Sequence, residues 1–292
     1  MKVCISVHGR FHAFELARGL HQRGVLECLL TTYPAYAAKR VIGTDVPLHT
    51  APWLEVWRRL YPRLRIGPQP DLAISEAFGR FAAGALKNIQ ADVLVGWSSA
   101  TLEAIPVAKA KGMKVVIERG STHITHQTEE LVSEYRRHGQ VFQATTPGMV
   151  ERELREYELA DAIAVPSRFA ARTFIERGIP ECKLIVAPMG VDLQRFSPTP
   201  ENTSNRLPRI LFVGAVGLRK GVPMLLRAFA RLKDKAELHF VGPVEENFRS
   251  ILSDLPLDNV VVRGPIASEV LQDLYAEADI FCLPSVEVGF GM

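Results

Sequence analysis

Lys220 and Arg219 stand side by side in a turn that also holds Gly214, Gly217 and Gly221, directly after the β-branched run Arg209 to Val213. Cations set among glycines can grip an anion, because the side chains bring charge and residues without a Cβ let the backbone approach closely. Pro223 falls in the first turn of the helix expected next and fixes its start. A second such place follows the run Ile280 to Leu283, where Pro284-Ser285 leads to Glu287 and then to Gly289, Phe290 and Gly291. A buried-type strand entering a glycine-rich turn is how a parallel α/β sheet offers backbone N–H groups to a phosphorylated ligand at its carboxyl edge. A helix normally follows such a loop. The chain ends at Met292, inside it, so the second domain is expected to be incomplete and truncated.

Two loops nearer the amino end add candidates. His8, Gly9 and Arg10 follow the run Lys2 to Val7 and precede a helical pattern carrying Phe14, Ala17 and Leu20. No G-x-G-x-x-G occurs there, which argues against a nicotinamide dehydrogenase. After Lys114 to Glu118 come Arg119, Gly120, Ser121, Thr122, His123 and His126. The two histidines lack companions for a zinc site and the chain has no Asp-x-Asp motif, so no metal is expected.

Elements must hold these loops in place. Short β-branched runs alternate with stretches of helical period, the pattern of parallel strands crossed by helices. Strands are expected at Lys2 to Val7, Leu26 to Thr31, Asp92 to Gly96, Lys114 to Glu118, Ala162 to Val165 and Leu184 to Ala187. After the linker-like stretch around 198–205, a second series is expected at Arg209 to Val213, Glu237 to Val241, Asn259 to Val262 and Ile280 to Leu283. Leu225, Ala228, Phe229 and Leu232, and again Leu271, Leu274, Tyr275 and Ala278, repeat at i, i+3, i+4, i+7 and predict core-facing helices. The two series echo one another. Ala160-Asp161 and Ala278-Asp279 each lead through four apolar residues to Pro-Ser, which predicts a strand followed by a serine helix cap in both. The expected architecture is α/β, with two Rossmann-like doubly wound parallel sheets, one spanning 1–197 and the other beginning near Arg206 and spanning 206–292.

Composition narrows the rest. With 292 residues, 47% hydrophobic and 23% charged, the chain is long enough for two domains. A net charge of +3 without arginine-rich tracts argues against nucleic acid as a partner. No run approaches the ~20 apolar residues that cross a bilayer, and the amino end lacks a signal-peptide pattern. Cys4, Cys28, Cys182 and Cys282 form no C-x-x-C pair and read as reduced core residues of a cytoplasmic protein. Trp53, Val56, Trp57 and Leu60 lie at helical spacing after Pro52, with Arg58, Arg59, Arg63 and Arg65 nearby. Such a helix either packs its apolar face on the domain core or rests on an anionic membrane surface; the second would make the protein peripheral to the membrane.

Gly190-Val191-Asp192 with Phe196, Phe212-Val213-Gly214 leading to Lys220-Gly221, and Pro284-Ser285 with Gly289-Phe290-Gly291 together resemble the retaining GT-B glycosyltransferases of the group 1, family 4 type. The resemblance implies a nucleotide-diphosphate sugar held mainly by the second domain, an acceptor by the first, and reaction in the cleft between. It implies that Lys220 and Arg219 stabilise the leaving diphosphate, since negative charge develops there as the sugar bond breaks. The family often has an arginine directly after the glycine matching Gly214; this chain has Ala215, and Arg219 is the expected replacement. Glu287 resembles the glutamate that binds donor-sugar hydroxyls, with Ser285, Gly289, Phe290 and Gly291 around it. A second glutamate, for the ribose, would fall beyond Met292. Gly9, His8 and Arg10 resemble the acceptor-side loop, and His123, with Arg119 behind it, the loop that touches the donor sugar. No cofactor is implied beyond the donor itself. A glycan or lipid-linked glycan is the expected acceptor; a noncatalytic nucleotide-sugar-binding fragment and a GT-B sugar-nucleotide epimerase are the rival readings.

Overall fold

A computed structural model describes residues 1–64, 70–143, 145–191, 206–267 and 270–291. They group into two compact units, 1–125 with 143–188, and 126–142 with 189–292. Asp192 and Phe196 of the resemblance, and Arg65, lie outside the described residues.

The first unit is built on seven strands: β1 (Val3–Val7), β2 (Leu26–Thr31), β3 (Leu48–Thr50), β4 (Val93–Trp97), β5 (Lys114–Glu118), β6 (Ala162–Val165) and β7 (Leu184–Val186). All pair in parallel, in the order β3-β2-β1-β4-β5-β6-β7. Every residue of β1 is buried, as expected of a central parallel strand covered on both faces. Because side chains alternate, Val3, Ile5 and Val7 join Phe14, Ala17 and Ala38 in one core. Cys4 joins Phe78, Leu94 and Leu30 in the other. Strand β3 is the one the sequence pattern did not anticipate: three residues, two of them polar, between Pro47 and Pro52.

The second unit has four strands: β8 (Arg209–Val213), β9 (Glu237–Val241), β10 (Val260–Val262) and β11 (Ile280–Phe281). They too are parallel, in the order β10-β9-β8-β11. Renumbered from β8, that is 3-2-1-4, the order with which the first sheet begins. Phe212, Phe240, Leu226, Phe229 and Phe248 fill the core against one face, and Tyr135 and Phe142 pack with them. The segment 126–142 therefore groups with this unit although it precedes it in the chain. The fold is the expected doubly wound α/β type.

One expected helix face is rotated. In helix Val222–Phe229 the buried residues are Val222, Pro223, Leu225, Leu226 and Phe229, whereas Ala228 is exposed and Leu232 falls in a 3-10 extension. The helix starts one residue after Gly221 and stops at Phe229, so the apolar stripe is set by its N-terminal turn. Helix Leu271–Glu277 packs as expected, with Leu271, Leu274, Tyr275 and Ala278 against Leu211 and Val241.

The Ala-Asp echo has a physical cause. Asp161 donates its N–H to the Val115 carbonyl, and its carboxylate accepts the Val115 N–H at 2.9 Å. Asp279 makes the same reciprocal pair with Arg209, at 3.0 and 2.7 Å. Asp92, after Ala91, makes it with Lys2. Each aspartate closes the open start of a parallel ladder, where the neighbouring strand's first N–H would otherwise lack a partner. The serines differ: Ser167 caps helix Arg168–Ile175 through Ala170 N–H at 3.1 Å, but no helix follows Ser285 among the described residues.

Candidate functional site

In open parallel sheets the ligand crevice lies at the carboxyl ends of the two strands where strand order reverses. For the second unit those strands are β8 and β11, and the loops that leave them carry the candidate residues. The turn after β8 is held by backbone bonds from Gly214 N–H to Val241 O, Val216 N–H to Pro243 O and Gly221 N–H to Leu218 O. Gly221 sits at φ +68°, and a Cβ on it would stand 1.9 Å from the Pro284 carbonyl oxygen. A Cβ on Gly242 would stand 2.0 Å from the Gly214 carbonyl oxygen. Glycine is therefore required where the turn meets the loop after β11. Val286 N–H donates to Arg219 O at 3.0 Å and completes the junction.

Four charged groups collect there. Arg219 Nη2 donates to Glu287 Oε2 at 3.0 Å, and Gln127 Nε2 reaches the same oxygen at 3.1 Å. The Glu287 side chain is fully buried. The Glu245 carboxylate lies over Gly217, where a Cβ would overlap it. Lys220 crosses Gly214, its Cε 3.9 Å from where a Cβ would be. It is half-buried, and among the described residues its ammonium makes no hydrogen bond or ion pair. Burial, then Arg219, pull its pKa below the usual lysine range, against the pull of Glu287 and Glu245. Burial and the Glu245 charge push the Tyr135 hydroxyl upward. The Ser285 Oγ and Arg219 Nε are buried without a hydrogen-bond partner. An unsatisfied hydroxyl, an unsatisfied N–H and an unpaired ammonium at one switch point form a set that an anionic oxygen would complete. Gly289 is buried, Phe290 is partly buried, and a Cβ on Gly291 would stand 3.4 Å from the Leu283 side chain.

The first unit's loops are more self-contained. His8 follows β1, and its Nδ1 is buried without a partner. Burial first, then Arg58 and Arg152, lower its pKa to about 4, so the ring is neutral near neutral pH. Gly9, at φ +115°, accepts from Thr31 Oγ1 at 2.8 Å through its carbonyl. Arg10 is exposed, 3.6 Å from Glu15. Arg119 donates to Thr122 O at 3.1 Å and pairs with Glu153 at 3.4 Å. His123 is buried between Tyr157 and Phe174, with ring centroids at 5.2 and 4.9 Å, and its Nδ1 lies 2.8 Å from Thr125 Oγ1. Its environment is that of a packed aromatic cluster.

The first sheet's own switch point lies between β1 and β4, and a carboxylate of the chain occupies it. Glu156 accepts from Ser99 N–H, Thr101 N–H and Leu102 N–H at 2.6, 2.7 and 2.9 Å. Glu153 accepts from Ser99 Oγ and Tyr157 Oη, and Arg152 joins Glu103. Burial and the Glu153 charge push Glu156 up to about 8, against the Thr101 and Ser99 N–H donors and Arg152. The sequence hid this cluster, since Glu151-Arg152-Glu153-Leu154-Arg155-Glu156 reads as a solvated helix face. Gln127, Glu245 and Gly242 carried no local signal either. Among the described residues no three His, Cys, Asp or Glu side chains gather as a metal site. No helix of these residues is long and apolar enough to cross a membrane.

Two parallel-sheet units with ligand loops at their switch points define the GT-B class of architecture. Solved structures agree: sucrose-phosphate synthase from Thermosynechococcus elongatus superposes with TM-score 0.65 at 17% identity, over 99% of this chain and 76% of that one. Anabaena HepE in complex with UDP and glucose gives 0.61 at 14%, over 100% and 76%. Residues 10–195 match the family model for Glycosyltransferase Family 4, and 207–292 that for Glycosyl transferases group 1. The chain belongs to glycosyltransferase family 4. The MMP alpha-(1->4)-mannosyltransferase of Mycolicibacterium hassiacum is 30% identical over 151 residues, 50% of this chain and 36% of that protein. The matched stretch spans about a third of the length of such curated relatives.

Proposed function

We propose that the protein transfers a sugar from a nucleotide-diphosphate sugar to a glycan or lipid-linked glycan, with retention of configuration. The observation that carries this reading is Lys220: a half-buried ammonium without an ion pair among the described residues, at the β8/β11 switch point beside the orphaned Ser285 hydroxyl. When the anomeric C–O bond breaks, the leaving diphosphate gains negative charge and the sugar carbon gains positive charge. When the acceptor oxygen bonds to that carbon, its proton passes to the departing diphosphate oxygen, which has gained the negative charge. Lys220 and the free Nε edge of Arg219 neutralise the diphosphate. Ser285 and the backbone of Gly214, Gly217, Gly289, Phe290 and Gly291 cradle it. Glu287, which Arg219 and Gln127 hold through Oε2, is the group assigned to the sugar hydroxyls. In the first unit His8, Gly9, Arg10 and Arg119 form the acceptor-side loops, and His123 sets the shape of its own loop by packing. The charge on the phosphate is met by side chains, so the scheme calls for no metal or organic cofactor. HepE, crystallised with UDP and glucose, supports a nucleotide-sugar donor.

A lipid-linked acceptor would place the enzyme on the cytoplasmic face of a membrane, with Trp53, Trp57, Arg58 and Arg59 positioned for the contact. The epimerase reading is carried by shared fold alone, through UDP-GlcNAc 2-epimerase from Neisseria meningitidis at TM-score 0.53. Incubation with a panel of nucleotide sugars and acceptors, with product configuration read by NMR, tests the proposal. Transfer with retention, lost in Lys220→Ala, supports it. Binding without turnover favours a noncatalytic module, and sugar interconversion without acceptor favours an epimerase.

A further inference from the structure

We propose that Phe11 is a stacking platform for a neutral pyranose ring, which makes it a specificity-determining residue for the acceptor. That the bound sugar is the acceptor rests on the transferase reading; that a sugar stacks on this ring rests on the loop itself. Phe11 lies at φ +40°, in the left-handed region that bulky side chains avoid because Cβ crowds the neighbouring carbonyl. It is also 54% exposed. An exposed apolar residue alone is ordinary, but here burial offsets little of the backbone strain, so the fold gains nothing evident from either. Such strain persists only where the surroundings impose it. Before Phe11, the Gly9 carbonyl accepts from the buried Thr31 hydroxyl at 2.8 Å. After it, His12 Nε2 lies 3.1 Å from Glu118 Oε1, and the His12 ring meets Trp97 at 5.0 Å. The Phe11 ring rests by one edge on Gly9, where a Cβ would stand 3.2 Å from Cε2, and its centroid is 5.8 Å from that of His8. The loop thus holds an aromatic ring out to solvent in a fixed pose.

The neighbouring groups select the occupant. Arg10 faces Glu15 at 3.6 Å, His12 faces Glu118, and burial keeps the His8 ring neutral, so the loop has no surplus positive charge for an anion. Arg10 and His12, which flank Phe11 in the chain, are polar all the same. A hydrocarbon chain on the ring would leave such groups without partners. A pyranose meets both conditions: its hydroxyls project around the rim, and the C–H groups of one face carry slight positive charge that suits the negative face of an aromatic ring.

Ligand-observed NMR of the whole chain with the methyl glycosides of glucose, galactose and mannose tests this without donor or turnover. Saturation should pass from the protein to the C–H groups on one face of at least one glycoside. Phe11→Ala should weaken that binding about three- to tenfold. Phe11→Leu, which keeps apolar bulk without an aromatic face, should weaken it as much, and Phe11→Tyr should retain it. Phe11→Gly should lose binding yet melt no lower than the parent, because glycine adopts the left-handed conformation freely. No saturation of any of the three glycosides, undiminished binding in Phe11→Ala or Phe11→Leu, or a clear melting loss in Phe11→Gly, the mark of a ring that serves the fold, would overturn the proposal. Because no transfer is measured, glycoside binding through Phe11 without sugar transfer would remove the transferase reading alone, and transfer without such binding would remove this proposal alone.

Discussion

Arg219 Nη2 donates to Glu287 Oε2 at 3.0 Å, and the Glu287 carboxylate is fully buried. Arg219 is thus committed at one edge of its guanidinium while Nε stays unpartnered. Removing the arginine takes one donor away from a buried charge. Arg219→Ala should cost about 2 kcal/mol of stability, discounted because the Arg219 side chain is partly exposed. Gln127→Ala should cost about 1 kcal/mol. Urea midpoints of both variants and of the double variant measure this. Strictly additive losses would show that the two donors do not act on one carboxylate.

Gly221 and Gly242 fix the junction between the turn after β8 and its neighbours. Gly221→Ala and Gly242→Ala should each destabilise by at least about 2 kcal/mol, because a Cβ has backbone oxygen and not a flexible side chain in its way. Gly178, at φ +85° with nothing within 4 Å, provides the comparison: Gly178→Ala should cost about 1 kcal/mol, the left-handed conformation alone. Thermal unfolding of the three variants checks the order, and equal losses would remove the close approach from the account.

How far the sequence led depended on whether a residue's partner was local. The strands β2, β5, β6, β8 and β9 run over the expected residues, since continuous β-branched runs between turns specify buried parallel strands. Lys220, Ser285 and Glu287 could be placed at the carboxyl ends of β8 and β11 because each follows a strand end. Gln127 could not: it reaches Glu287 because Tyr135 and Phe142 bury themselves against Phe212 and Phe240, far apart in the chain and with no periodic trace. Glu153 and Glu156 gave no signal for a different reason, since a charged helix pattern fits both a solvated face and a buried network. Trp53, Val56, Trp57 and Leu60 are exposed rather than packed on the domain core, so helical spacing names a face without saying what it meets.

Glu156 should leave a signature in the pH dependence of folding. Its pKa is pushed from 4.5 to about 8, so the folded state holds the extra proton between those values. Its favourable contribution is complete below the unfolded pKa of 4.5 and is lost as pH rises toward 8. The loss should be at most about 5 kcal/mol. Denaturant midpoints should fall over that window and flatten in Glu156→Gln, which keeps a carbonyl for the loop N–H groups but has no proton to lose. A slope unchanged by the substitution would mean that the three N–H donors keep Glu156 ionised.

On the proposed function, Lys220 stands ready for a diphosphate. Calorimetric titration of the protein and of Lys220→Ala with a nucleoside diphosphate and the matching monophosphate tests it most directly. The intact protein should prefer the diphosphate, and the variant should lose about ten- to a hundredfold in affinity for it while its monophosphate affinity barely moves. A variant that keeps the full diphosphate preference would contradict the account.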